Sequence, residues 1–168
     1  RIVVTGHPYL DSFRDRIPRL SAQAARQVRA GLGLDPRQRL ITFVSETFGW
    51  TYDASYRFAP RSGSRERTVI VLEHVLEALA ELAPTLADPI FVVNKLHPKN
   101  RLEEFAWVER LRLPFPVRPV TSGPNTTLLQ ASTLVIGLTS MLLVEAACLG
   151  LPTLSVVPRK VEERIGPN

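Results

Sequence analysis

Along most of the chain, short β-branched and aromatic runs alternate with longer segments whose apolar residues recur every three or four positions. Runs of the first kind suit strands buried on both faces, and segments of the second kind suit helices with one apolar face. Strands are predicted over 40–45 (LITFVS), 90–94, 117–120, 133–137 and 153–157, with a short one over 2–5 ahead of the turn Gly6-His7-Pro8. Helices are predicted over 21–31, 68–83, 102–111, 125–131 and 140–149. The first is capped by Ser21, carries Ala22, Ala25, Val28 and Leu32 on one stripe, and ends at Gly31 and Gly33. The pattern is clearest over 68–83: Val69, Leu72, Val75, Leu76, Leu79 and Leu82 share a face. Glu73, Glu77 and Glu81 are expected on the opposite, solvent side. Residues 46–67 read as a long loop holding Phe48, Trp50, Tyr52, Tyr56 and Phe58 among arginines. Loops of that length tend to be functional or disordered, so this one is a candidate to cover a ligand or face another domain.

Alternation of this kind predicts an α/β fold: a Rossmann-like, doubly wound, mostly parallel sheet covered on both faces. Counting from the strand at 40, the usual order is 3-2-1-4-5, which reverses between the first and fourth strands. Ligands bind outside the carboxyl ends of the strands at such a reversal. That rule selects Ser45-Glu46-Thr47 and Leu138-Thr139-Ser140.

Composition narrows the class. The chain has 168 residues, room for one domain, and is 45% hydrophobic and 22% charged, as soluble globular proteins are. The longest apolar run, 142–151, is interrupted by Glu145 and falls short of the roughly 18 residues of a membrane span. The opening Arg1-Ile2-Val3-Val4 reads as a strand rather than a signal peptide and has no initiating Met. A fragment of a longer protein, in the cytoplasm, is therefore expected. The single Cys148 excludes an internal disulfide and is expected in the core. Of the net charge of +5, the excess lies in residues 1–67, with twelve Arg against six acids. An anionic partner would suit it, as would plain surface charge. Nucleic acid is not expected, since no basic run with interleaved aromatics and no nucleic-acid-binding motif occurs. Signatures of serine hydrolases, P-loop nucleotidases, zinc proteases and dinucleotide-binding turns are absent, and three His with one Cys form no metal-ligand spacing.

Three segments carry candidate chemistry. In the first, 137–147 (GLTSMLLVEAA), a buried strand leads through Gly137 into a helix that starts on Thr139 and Ser140. Free N–H groups and the positive end of the helix dipole make such a start receptive to phosphate. Glu145, in an otherwise apolar helix, lies about 7.5 Å further along the axis. That is near the span from a diphosphate to its ribose, whose two hydroxyls a carboxylate can accept. The plainer alternative is a helix cap and a carboxylate that is exposed or paired with Arg. The second segment, Lys95-Leu96-His97-Pro98-Lys99-Asn100, puts two lysines and His97 at the carboxyl edge of the sheet. They suit phosphate there, or merely shape the turn. In the third, 4–11, His7 and Asp11 belong either to a site or to an interdomain hinge.

The order of VTGHPYLD (4–11), LITFVSE (40–46), KLHPKN (95–100), GLTSMLLVEAACLGLPTLSV (137–156) and PRKVEERIG (158–166) resembles the carboxy-terminal half of the GT-B superfamily. It is nearest the UDP-N-acetylglucosamine 2-epimerase branch and related glycosyltransferases. The resemblance implies one nucleotide-sugar-binding domain over 1–168, with an amino-terminal partner domain elsewhere. It assigns Thr139, Ser140 and Met141 to the phosphates and Glu145 to the ribose. It puts His97 on the family's His-Pro turn and Arg159, Glu163 and Arg164 on its Arg…Glu-Arg segment. Ser45, Glu46 and Lys95 complete the expected substrate contacts. Epimerases usually carry Ser-Gly-Gly at 139–141 and a His-Arg…Glu-Asn motif after the first strand. This chain has Thr-Ser-Met and Ser45-Glu46-Thr47 instead. The resemblance therefore favours a glycosyltransferase of surface polysaccharide or glycoconjugate synthesis, with UDP-linked or similar sugar as substrate and no further cofactor. An epimerase half and a non-catalytic binding module are the alternatives. Catalytic groups are expected in the partner domain, and any membrane association is expected through the acceptor or that domain.

Overall fold

A computed structural model describes residues 7–47, 51, 63–64 and 66–157. The expectations for 2–5, for most of the 46–67 loop and its aromatics, and for Arg159, Glu163 and Arg164 lie outside the described residues. Five strands, β1 (Arg39–Val44), β2 (Ile90–Lys95), β3 (Val117–Val120), β4 (Leu134–Gly137) and β5 (Thr153–Ser155), form one parallel sheet. Its order is β3-β2-β1-β4-β5, the order expected from the sequence. β1 and β2 are central and buried at nearly every position, which is why they read as unbroken apolar runs. The edge strand β3 tolerates Pro119, whose missing N–H would break a central ladder.

Alternation along the strands builds a core on each face. Ile41, Phe43, Val92 and Ile136 pack against Val69, Leu72 and Leu76 of α3 (Arg67–Leu82) and against Phe105 and Trp107 of a 3-10 helix, Leu102–Arg110. On the other face Leu40, Phe91 and Val93 meet Val28 of α2 (Ala22–Gly31) and Leu128 and Ala131 of α4 (Asn125–Ala131). Val44 and Val135 meet Leu143 and Ala146 of α5 (Met141–Cys148). Full burial of residues such as Phe43 and Leu72 contributes about 1.5–3 kcal/mol each. The buried hydroxyls between the layers are paired: Thr42 and Ser132 lie 2.7 Å apart, and Ser132 Oγ donates to the Leu128 carbonyl.

Three expectations change. Residues Pro8–Arg16 form a helix, α1, where a turn or hinge was expected. Pro8 occupies a first-turn position, for which its fixed φ suits it, and His7 Nδ1 caps the helix by accepting the Leu10 N–H. Glu73 does not face solvent; it is wholly buried, because the first two turns of α3 are covered on all sides. The helix expected from Leu102 is present and winds as a 3-10 helix, with Leu102, Phe105, Val108 and Leu111 recurring at its period of three. Cys148 is half-buried rather than in the core.

Candidate functional site

The reversal of strand order between β1 and β4 opens a cleft of about 260 Å3 at the carboxyl edge of the sheet. Ser45, Glu46 and Thr47 line it from the end of β1, and Thr139, Ser140 and Met141 from the start of α5. Arg67 from the first turn of α3 and His97 from the turn after β2 complete it. The close fit of β1 and β4 depends on Gly137. A Cβ there would come 3.1 Å from the Val44 carbonyl oxygen and 3.4 Å from Leu143 Cδ1. Ser140 then caps α5, its hydroxyl accepting the Leu142 N–H.

An anion already sits at this helix start, and it belongs to the chain. Glu46 Oε1 accepts the Thr139 N–H at 2.7 Å and the Thr139 hydroxyl at 2.8 Å. Glu46 Oε2 lies 3.5 Å from the buried Arg67 guanidinium. The backbone of Glu46 is tied down separately: its N–H donates to Thr68 Oγ1 at 3.1 Å, and its carbonyl accepts from Asn100 Nδ2 at 2.8 Å. Oriented donors, a helix N-terminus and a cation thus converge on one carboxylate, the arrangement that also suits a phosphate.

His97 faces the same cleft. Its Nδ1 accepts the Lys99 N–H at 3.1 Å, which leaves Nε2 as the protonated nitrogen of the neutral ring. Burial, then Lys99 and Lys95, push its pKa below the ordinary 6.5, against an upward pull from Glu46. Ser45 is buried beneath the cleft and donates to Asn94 Oδ1 at 2.7 Å.

Two candidate residues are directed elsewhere. Lys95 turns its ammonium toward the Leu96 and Thr121 carbonyls, each at 3.4 Å, and burial lowers its pKa. Glu145 is buried on the α1 side of α5, outside the cleft lining, and its Oε1 accepts the Tyr9 hydroxyl at 2.5 Å. That bond, followed by burial and the charge of Glu145, raises the Tyr9 pKa above 10.0, with Arg16 acting in the opposite direction.

Sequence reasoning missed Arg67 and Tyr9. Arg67 did carry a signal, since a cation in the first turn of a helix opposes the dipole and invites a specific reason. Tyr9 follows Pro8 inside a segment already singled out, but nothing in the sequence tied it to a residue 136 positions away. Among the described residues no group of three or more His, Cys, Asp and Glu could hold a metal ion. Among them, too, no helix is long and apolar enough to cross a membrane.

No family model and no curated protein matches the chain. Solved structures do. The H444N variant of the wall teichoic acid polymerase TagF, soaked with CDPG, superposes with a TM-score of 0.53 at 13% identity, over 96% of this chain and 33% of that one. TagF itself gives 0.51 at 13% identity, over 92% and 33%. KpsC of Thermosulfurimonas dismutans, a beta Kdo 2,7 transferase, gives 0.43 at 14%, over 87% and 43%. At these identities the TagF likeness is one of fold. The chain spans about a third of the length of TagF.

Proposed function

We propose that this chain is the donor-binding half of a GT-B glycosyltransferase that uses a nucleotide-diphosphate sugar, or a similarly nucleotide-linked donor, in surface polysaccharide or glycoconjugate synthesis. The observation that carries the reading is the anion seat at Thr139, placed where doubly wound sheets bind ligands. The diphosphate takes the Thr139 N–H and hydroxyl, with Ser140 and the Met141 backbone beside it. Arg67 and the Nε2–H of His97 add positive potential. Such fixed donors and cations stabilise the charge that develops on a departing diphosphate. Glu145 accepts the ribose hydroxyls once Tyr9 gives way, and the acceptor and its base come from a partner domain. The fold shared with TagF, one structure of which was soaked with CDPG, makes a cytidine nucleotide as reasonable a ligand as a uridine one.

Thermal melts with UDP, CDP, ADP and GDP test the reading. A ligand held by the native state alone raises Tm by mass action, about 2.7 kcal/mol of stabilisation at a hundredfold excess over Kd. At least one of the four is expected to do so. A Tm unmoved by all four at millimolar concentration rejects the proposal.

A further inference from the structure

The carboxylate of Glu46 occupies the seat that the proposed diphosphate needs. Thr139 offers one N–H and one hydroxyl, and both donate to Glu46 Oε1. A phosphate oxygen placed on the same donors would press against that carboxylate oxygen, and like charges at such range repel strongly in a partly buried cleft. We infer that Glu46 is a built-in competitor for the anion seat, so that a diphosphate binds by displacing it and Glu46 sets the affinity of the cleft. The inference rests on the nucleotide-binding reading of this site.

Two features make the displacement feasible. First, the carboxylate has somewhere to go. Its other oxygen already meets Arg67, so a turn of the side chain frees Thr139 while the ion pair persists. Second, the loop does not depend on the carboxylate for its place. The Glu46 backbone is held by Thr68 and Asn100, neither of which the motion disturbs. With 19% of its side chain exposed, Glu46 also lies within reach of an incoming ligand. Charge then becomes a selection rule. A ligand with two or more negative charges exchanges favourably for one carboxylate, and a singly charged one gains little.

Calorimetric titration of wild-type, Glu46→Gln and Glu46→Ala proteins with inorganic pyrophosphate tests this. Gln keeps the shape and removes the charge; Ala empties the seat. Affinity is expected to rise on the order of tenfold in Glu46→Gln and further in Glu46→Ala, the scale of one charge-assisted contact. Unchanged or weaker binding in both variants, with measurable binding in the wild type, overturns the inference and leaves the nucleotide reading standing. No binding of pyrophosphate or of any nucleoside diphosphate by all three proteins removes both. A second measurement needs no variant. The 13C resonance of the Glu46 carboxyl carbon in the wild type should shift on saturation with pyrophosphate, and a resonance that stays in place overturns the inference.

Discussion

The hydroxyl of Tyr9 donates to Oε1 of Glu145 across 2.5 Å, joining α1 to the middle of α5. A carboxylate in an apolar helix needs a partner, and this phenol supplies it. The contact has consequences for stability, for titration and for ligand binding, and each is measurable.

Tyr9→Phe removes the hydroxyl and keeps the ring on Phe13, whose centroid lies 5.6 Å away. Tyr9 is 42% exposed, so the loss should be modest, about 0.5–1.5 kcal/mol by denaturant titration. The raised pKa gives the sign of the pH dependence. The neutral phenol is the form that folding favours. Its contribution is therefore complete below the unfolded value near 10 and is lost as pH rises through the higher folded value. Ultraviolet titration of the wild type against Tyr9→Phe should place the Tyr9 midpoint above 10.0; a midpoint at or below that value contradicts the contact.

If Glu145 exchanges Tyr9 for a ribose, nucleoside and inorganic ligands must respond differently to its loss. Glu145→Ala should weaken a bound nucleoside diphosphate by roughly 1–3 kcal/mol and leave pyrophosphate affinity within twofold. Equal losses for both ligands would mean that the variant disturbs α5 as a whole.

His97 reports on the charge in the cleft. Its depressed pKa means that folding favours the neutral ring. The associated stability is present above the unfolded value near 6.5 and is lost as pH falls through the lower folded value. NMR titration should show a midpoint below 6.5, lower still in Glu46→Gln because Glu46 pulls it upward. Saturation with a nucleoside diphosphate should move the midpoint up, since a nearby anion favours the imidazolium. A midpoint indifferent to ligand would place the anion elsewhere.

Gly137 sets the approach of β4 to β1. Its missing Cβ faces a backbone carbonyl at 3.1 Å, which cannot swing aside as a side chain can. Gly137→Ala should cost about 1–3 kcal/mol, and Gly137→Val more, read as a fall in Tm. Gly150, where an added Cβ meets nothing within 4 Å, serves as the contrast, although its positive φ adds a strain of its own.

The sheet was legible because each strand is a local signal. LITFVS and the other runs announce burial on both faces, and the parallel order then follows from crossover rules. α1 was not legible, because 8–16 carries few apolar positions and its cap is a histidine rather than a serine or aspartate. The helix from Leu102 was legible as a helix, and its 3-10 winding matches Leu102, Phe105, Val108 and Leu111, which repeat every three residues. In the site, topology placed Ser45, Glu46, Thr139 and Ser140 at the strand reversal, His97 was expected at the carboxyl edge of the sheet, and Met141 came from the family resemblance; the structure puts all six on one cleft. What topology does not specify is where a long side chain points. Lys95 and Glu145 sit at the expected positions in sequence, yet they turn to the Thr121 carbonyl and to Tyr9. Those choices depend on neighbours brought in from distant segments, and Arg67 enters the cleft by the same route.

The most direct test is a crystal structure of the protein saturated with the nucleoside diphosphate that raises its Tm most. The account predicts phosphate oxygens on the Thr139 N–H and hydroxyl, Glu46 turned toward Arg67, and the ribose within hydrogen-bonding distance of Glu145. A nucleotide bound elsewhere on the domain, with Glu46 still seated on Thr139, would contradict it.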